Sequence, residues 1–210
     1  ALGDVDGDGH LDLIAGNDGS INGQTNKLYL NDGSGRFRPG TALSNDDDQT
    51  LAVALGDADG DGDLDLIAGN SRQTNKLYLT NGTGLFVPGA DVSTETLATN
   101  SLTMGDVDGD GDLDLIAGNE NQTNKLYLNN GSGGFSAGID LGTEVDATLS
   151  VVLGDVDGDS DLDLIAGNLG QTNKLYLNNG SGVFGHGVDI GNETDRTFSL
   201  VLGDVDGDRS

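Results

Sequence analysis

Aspartate recurs at alternate positions of a nine-residue loop that the chain repeats four times. Counted from its first Asp, each loop carries aspartate at positions 1, 3, 5 and 9 and glycine at position 4. Alternate side chains of a tight loop converge on one point, and the glycine lets the backbone fold around it. Carboxylates are hard oxygen ligands that suit Ca²⁺ far better than Zn²⁺ or Cu²⁺, whereas Mg²⁺ prefers fewer protein ligands. The pattern predicts one Ca²⁺ per loop. The predicted side-chain ligands are Asp4, Asp6, Asp8 and Asp12; Asp57, Asp59, Asp61 and Asp65; Asp106, Asp108, Asp110 and Asp114; and Asp155, Asp157, Asp159 and Asp163.

Position 7 of the loop predicts a ligand of a different kind. Because its side chain varies among the copies, we expect the backbone carbonyl to bind the ion there, as in other calcium loops. These position-7 residues are His10, Asp63, Asp112 and Asp161. A fifth copy supplies Asp204, Asp206 and Asp208 but has no ninth position, so we do not expect a complete site in it.

An EF-hand and a polar hairpin are the two alternative interpretations of the loop. An EF-hand needs Glu at position 12 and flanking helices, whereas position 12 of the first loop is Ala15 and its flanks have the pattern of strands. A polar hairpin whose aspartates only favour turns is the second alternative. Four carboxylates a few Å apart would repel one another strongly without a cation, which argues against it.

The loops stand at a regular spacing that predicts a repeat architecture. Their first aspartates are 53, 49 and 49 residues apart, and the fifth copy follows after another 49. A period near 50 residues is typical of a solenoid, a propeller or an array. We expect one propeller-type array over residues 1–210. Its predicted repeats are about 1–50, 51–99, 100–148 and 149–197, with a truncated fifth repeat at 198–210.

Each repeat contains four short strand patterns and no helical periodicity. An alternating run such as Leu51–Leu55 precedes the loop, and L-D-L-I-A-G follows it with apolar residues on both faces, as in a doubly buried strand. The third strand is N-K-L-Y-L, and a glycine turn leads to a fourth strand that we expect to begin at the Phe of F-x-x-G. The predicted fold is all-β, a β-propeller of four-stranded antiparallel blades. We expect the Tyr and Phe series to pack between blades.

The D-x-D-G-D-x-x-x-D loop followed by L-I-A-G-N resembles the FG-GAP/VCBS repeat of integrin-α-type β-propellers. It is also similar to the Ca²⁺-binding propellers of bacterial surface proteins and some fungal lectins. The resemblance covers essentially the whole chain and implies one Ca²⁺ per blade, in the hairpin between the first and second strands. The family usually closes with more blades than the four of this chain, which leaves ring size open.

The charge, the hydropathy and the absence of Cys exclude several classes of function. The net charge of −27 is too acidic for a nucleic-acid partner or an anionic membrane surface, and no apolar run approaches a membrane span. The absence of Cys excludes disulfides and thiolate metal sites. The two histidines, His10 and His186, occupy different parts of the repeat, and no catalytic constellation accompanies them. We therefore expect no enzymatic activity.

Two non-enzymatic functions remain. Q-T-N-K-L-Y-L recurs unchanged in all four repeats, which favours a structural scaffold or filament subunit that is extracellular or at the cell surface. The alternative is an adhesin or lectin-like module that presents variable loops, such as Asp18–Gly23, to a glycan or protein ligand.

The chain ends predict self-association. The first repeat has only Ala1 and Leu2 ahead of its loop, whereas Thr197–Leu202 is a first strand without a blade. Such an apolar edge invites pairing. It could complete the first repeat of its own chain as a small ring, or that of a neighbour as a dimer or filament, or the chain could be a piece of a longer array. A ring would place Asp204–Asp208 where Asp4–Asp8 belong, so we expect assembly between chains.

Overall fold

The computed structural model describes residues 1–18, 24–45 and 48–205, in which the chain forms sixteen β-strands and no helix. The strands make four antiparallel sheets of four, and strands that follow one another along the chain are neighbours in the sheet. Each sheet is one blade, which confirms the predicted fold class. The first two blades are β1 (Leu2–Gly3), β2 (Asp12–Ala15), β3 (Lys27–Tyr29) and β4 (Thr41–Ala42), then β5 (Thr50–Gly56), β6 (Asp65–Asn70), β7 (Lys76–Tyr78) and β8 (Ala90–Asp91). The other two are β9 (Thr99–Gly105), β10 (Asp114–Asn119), β11 (Asn124–Tyr127) and β12 (Ile139–Leu141), then β13 (Thr148–Gly154), β14 (Asp163–Asn168), β15 (Asn173–Tyr176) and β16 (Val188–Ile190). Within the described ranges, no helix is long and apolar enough to cross a membrane.

The second strand is the most buried strand of the second and third blades. All six residues of β6 and of β10 are buried, as predicted for a strand covered on both faces. Leu66 and Ile67 of β6 pair with Tyr78 and Leu77 of β7. Each fully buried Leu or Ile side chain contributes about 1.5–3 kcal/mol. Because the Asp loop runs directly into this strand, its last aspartate lies in the most buried part of the blade.

The repeated Q-T-N segment ties the end of the second strand to the turn after it. The Asn70 N–H donates to Asn75 Oδ1 at 2.9 Å, and Asn70 Nδ2 donates to the Thr74 carbonyl at 2.8 Å. Asn75 Nδ2 donates to Thr99 Oγ1 in the following repeat at 3.1 Å. The third and fourth blades repeat the bonds between the asparagines and to the turn carbonyl. A buried polar group left unpaired costs about 1–3 kcal/mol, which explains why this segment does not vary.

The fourth strand begins later than predicted. We expected it to start at the Phe of F-x-x-G, but β4, β8, β12 and β16 each begin four residues beyond that phenylalanine. The glycine between them lies against the tyrosine of the third strand. A Cβ added to Gly89 would stand 2.6 Å from Tyr78 Cε1, so the ring occupies the space beside the backbone. Pairing resumes only past this contact. Three of the phenylalanines instead close the glycine turn as single bridges, namely Phe37 to Asn31, Phe135 to Asn129 and Phe184 to Asn178.

One compact unit comprises Ala1–Thr99 with Asn129–Ser136. Its core joins the first two blades, and Tyr78 lies within it, as predicted for tyrosines that pack between blades. Phe86 is half-buried against the same cluster. The buried residues of this core are Val5, Ile14, Leu28, Leu66, Ala68 and Tyr78.

The other compact unit comprises Asn100–Leu128 with Ala137–Ser210. Its core joins the third and fourth blades, with Tyr176 buried and Phe184 half-buried against it. The sequence placed Phe198 in a first strand at Thr197–Leu202, but residues 197–202 form no strand and Phe198 is exposed. The buried residues of this core are Val107, Ile116, Leu126, Leu141, Val151, Leu164, Ala166 and Tyr176.

Candidate metal centre

Each Asp loop joins the first and second strands of its blade, where the resemblance placed it. In each of the four complete loops three carboxylates each offer an oxygen atom within 4.8 Å of the others. Oxygens at this spacing could surround one metal ion. Positions 1, 3 and 5 come together in the first two loops, and positions 1, 3 and 9 in the last two. The groups are Asp4, Asp6 and Asp8; Asp57, Asp59 and Asp61; Asp106, Asp108 and Asp114; and Asp155, Asp157 and Asp163.

Backbone N–H groups hold the loop in shape. In the second loop, Asp57 accepts from the Gly60 and Gly62 N–H groups at 2.8 and 3.0 Å. Gly60 and Gly62 have φ of 76° and 94°, the left-handed region in which glycine avoids the cost paid by other residues. The fourth loop departs from this pattern, because Ser160 stands at position 6 with φ 80°. It therefore carries backbone strain that the other loops lack.

The aspartate at position 9 has a second role that the sequence did not reveal. Asp65 is buried, and its two oxygens accept from the Ala58 N–H at 2.9 Å and the Thr80 N–H at 2.8 Å. It thereby fastens the start of the loop to the glycine turn of its own blade. The first and fourth loops have the same pair of bonds. A buried carboxylate that accepts several backbone bonds is an anchor whether or not a metal is present.

Position 3 carries a carboxyl group whose ionisation is disfavoured. Burial, with the charges of nearby loop carboxylates adding to it, raises the pKa of this aspartate in all four loops. The shift means that the charged form of this carboxyl group is poorly solvated and is repelled by its neighbours. A divalent cation among the oxygens would favour the ionised form, so the donor set fits a hard cation. The residues concerned are Asp6, Asp59, Asp108 and Asp157.

Three of the four position-7 side chains lie over the glycine turn instead of among the grouped carboxylates. A Cβ added to Gly82 would stand 2.4 Å from Asp63 Oδ1, and His10 and Asp161 lie against Gly33 and Gly180 in the same way. The groups of carboxylates that could hold a metal do not include position 7. Coordination by the carbonyls of His10, Asp63, Asp112 and Asp161 stays a prediction. In the fifth copy Asp204 is exposed, and the predicted ligands Asp206 and Asp208 lie outside the described residues.

The sequence of the repeat matches a known family. The FG-GAP-like repeat matches residues 4–68, 57–117, 106–166 and 155–210. The chain belongs to the FG-GAP-like repeat family. Each match begins at the first aspartate of a loop, so the FG-GAP-like repeats of this chain have the period of the metal-loop candidates. Among curated protein sequences, none matches this chain.

Solved structures share the fold of these FG-GAP-like repeats. A lectin of Agrocybe aegerita, described as recognising non-reducing terminal N-acetylglucosamine, has 23% identity and a TM-score of 0.66, over 92% of this chain and 52% of its own. The BP39L lectin of Burkholderia pseudomallei has 11% identity and a TM-score of 0.68, over 90% and 54%. The biofilm matrix protein Bap1 of V. cholerae has 19% identity and a TM-score of 0.50, over 89% and 29%. The chain therefore spans about half the length of the two lectins.

Contacts between successive FG-GAP-like repeats are the second feature that sequence analysis missed. The carbonyl of position 2 of the loop accepts a hydrogen bond from the glycine turn of the following blade. Gly84 N–H donates to Val5 O at 2.9 Å, and Gly133 N–H donates to Ala58 O at 3.0 Å. Donor and acceptor lie more than 70 residues apart. The recurrence of a glycine turn, N-x-G-S-G or T-N-G-T-G, once in every repeat was the available signal.

Proposed function

We propose that this chain is a calcium-stabilised, non-catalytic propeller module that serves as an extracellular or cell-surface scaffold. The observation that supports this is the recurrence of one arrangement: the same loop, with three carboxylates grouped within 4.8 Å, at the same place in all four blades. A catalytic site would need one blade to differ from the others in its reactive groups. Four equivalent oxygen clusters instead suit four equivalent ions with a structural role.

Charge balance supports the choice of cation. The chain carries a net charge of −27, and four Ca²⁺ ions would bring it to −27 + 4 × 2 = −19. Ca²⁺ accepts six to eight oxygen ligands in flexible geometry, which suits loops with four aspartates and a backbone carbonyl. Extracellular calcium modules commonly bind at about 10⁻⁴–10⁻³ M, so such loops would be filled at the millimolar Ca²⁺ outside cells.

Calorimetric titration of the metal-free chain tests the proposal. We expect about four Ca²⁺ ions per chain, as the four loops imply, and much weaker binding of Mg²⁺ in a parallel titration. The triple variant Asp57→Asn, Asp59→Asn, Asp61→Asn should lose one ion and keep the others. No heat of Ca²⁺ binding, or binding of the same number of ions to the triple variant, would contradict the proposal.

Self-association through the chain ends is part of the proposed scaffold role. Phe198 and Val201, in the segment that follows the fourth blade, are 70% and 90% exposed. Apolar side chains of this size are seldom left in water when a strand edge is open beside them. Light scattering in Ca²⁺ should give a mass above the 21.4 kDa of one chain, and the double variant Phe198→Ser, Val201→Ser should lower it. A mass of one chain for the unsubstituted protein would contradict the assembly.

Glycan binding is a second candidate function. A groove of about 240 Å³ lies beside β12, where Val183 is 62% exposed, and an equivalent groove of about 200 Å³ lies beside β4, where Leu85 is 73% exposed. Concave sites with apolar walls and a few polar groups are the usual form of small-ligand sites. The similar Agrocybe aegerita lectin recognises terminal N-acetylglucosamine, so that sugar is the first probe. We expect Val183→Asp to weaken the binding of this sugar. If no sugar on a glycan array binds, glycan binding is refuted and the scaffold role is the function that remains.

A further inference from the structure

Each of the first three Asp loops is held from outside by the blade that follows it. The position-2 carbonyl accepts from a turn glycine of the next blade, with Gly84, Gly133 and Gly182 donating at 2.9, 3.0 and 2.9 Å. The position-2 N–H is bound on the other side by the position-9 carboxylate, as Ala58 N–H to Asp65 Oδ2 at 2.9 Å. The peptide groups around position 2 are therefore fixed from both directions.

The same turn also packs against position 3 of the loop. A Cβ added to Gly133 would lie 3.6 Å from the Asp59 Cβ, and one added to Gly182 would lie 3.3 Å from the Asp108 Cβ. The turn of one blade therefore stands directly behind a predicted ligand of the preceding blade. The turn leaves no room beside the Cβ of that residue.

The three turns are not equal, because two of them provide a second hydrogen bond. Asn129 Nδ2 donates to the Ala58 carbonyl at 2.9 Å, and Asn178 Nδ2 donates to the Val107 carbonyl at 2.7 Å. Both bonds are buried. Thr80 occupies the equivalent place in the second blade, behind the first loop, and has no amide group to reach the Val5 carbonyl. Its hydroxyl oxygen accepts from the Gly82 N–H at 3.1 Å.

We propose that Asn129 and Asn178 are positioning residues for the metal loops of the preceding blades, so that the second and third loops bind Ca²⁺ more tightly than the first. The inference rests on the proposed calcium function. A loop that is already held in its binding shape loses less conformational freedom when an ion is bound, and affinity rises accordingly. One hydrogen bond of ordinary net strength corresponds to a difference of about 2- to 10-fold in the dissociation constant.

Two exchanges between blades test the assignment. Asn129→Thr introduces the residue that the second blade already carries, and Thr80→Asn introduces the residue of the third. A Ca²⁺ titration followed by amide NMR reports each loop separately, through the Gly7 and Gly9 signals for the first loop and the Gly60 and Gly62 signals for the second. Asn31→Thr is the matched control, because Asn31 Nδ2 donates to the Leu11 carbonyl of its own blade at 3.1 Å.

We expect Asn129→Thr to weaken Ca²⁺ binding about 2- to 10-fold in the second loop and not in the third. Thr80→Asn should tighten the first loop by a similar factor, and Asn31→Thr should leave the second and third loops unchanged. Equal affinities in the first three loops, or a change spread over all loops, would overturn the inference. If Asn129→Thr does not fold, Thr80→Asn decides alone. Failure of Ca²⁺ to move any loop amide of the unsubstituted chain would overturn the proposed function itself.

Discussion

Asp65→Ala separates the anchoring role of position 9 from metal binding. The Asp65 carboxylate accepts from two buried N–H groups, those of Ala58 and Thr80, at 2.9 and 2.8 Å. Alanine can accept neither bond, and both donors lie where the blade is packed. We therefore expect Asp65→Ala to destabilise the protein even in excess chelator, when no cation is bound.

The loss can be estimated from the two donors. A buried N–H left without a partner costs about 1–3 kcal/mol, so the pair would cost about 2–6 kcal/mol. Burial raises the pKa of Asp65, which shows that holding its charge in the folded state is itself unfavourable and offsets part of this cost. We expect a net loss of about 2–4 kcal/mol, which lowers the melting temperature of a chain of this size by about 4–16 °C.

Thermal unfolding in EDTA, followed by circular dichroism, measures this loss. Asp61→Ala is the matched control, because Asp61 belongs to the same loop and its bond from the Asp63 N–H at 2.9 Å is exposed to solvent. The control should change the metal-free melting temperature by no more than a few degrees. Equal melting temperatures for Asp65→Ala and Asp61→Ala in EDTA would show that position 9 is a ligand only.

Three further outcomes follow from the loop geometry. In Ca²⁺, Asp59→Ala should lose more stability and more Ca²⁺ affinity than Asp63→Ala, because only the first removes an inferred side-chain ligand; equal losses in a Ca²⁺ titration would show that the loop is misassigned. In EDTA, position 3 should contribute stability as the pH falls from 7 towards the usual aspartate range near about 4, because the position-3 pKa values are raised and the folded state then binds more protons than the unfolded state. Asp59→Asn should reduce this contribution in EDTA, the same pH profile for both proteins would contradict the assignment, and Ca²⁺ should abolish the contribution. Ser160→Gly should raise the free energy of unfolding by about 1 kcal/mol, because it removes the backbone strain at φ 80°, whereas Ser160→Ala should not raise it. Equal free energies of unfolding for the two variants in denaturant would refute the strain.

Local patterns were sufficient to predict the blades. The apolar residues on both faces of D-L-I-A-G-N specify a doubly buried strand, and β6 and β10 are buried along their whole length. The tyrosine of N-K-L-Y-L could be assigned to the packing between blades because it recurs at the same place in every repeat. The start of the fourth strand could not be predicted, because it depends on the ring of Tyr78 lying against Gly89, a contact that no periodicity encodes.

The sequence predicted which residue types could bind the ion, but it did not predict the hydrogen bonds that hold the loop in place. Alternate aspartates give the oxygen cluster, since their convergence follows from loop geometry alone. Asp65 acts as an anchor by accepting from the Thr80 N–H, fifteen residues away. The Ala58 carbonyl accepts from the Asn129 side chain, seventy-one residues away. Such bonds arise only when strands and blades are already packed, so the sequence shows the donors without showing what they meet.

The central claim is that calcium ions hold this fold together, and melting in chelator and in Ca²⁺ tests it most directly. A ligand at tenfold its dissociation constant stabilises a protein by about 1.4 kcal/mol per site, which gives about 5–6 kcal/mol for four sites. For a chain of this size we expect Ca²⁺ to raise the melting temperature by about 10–20 °C over EDTA, and Mg²⁺ to raise it far less. The same melting temperature in EDTA and in millimolar Ca²⁺ would contradict the account.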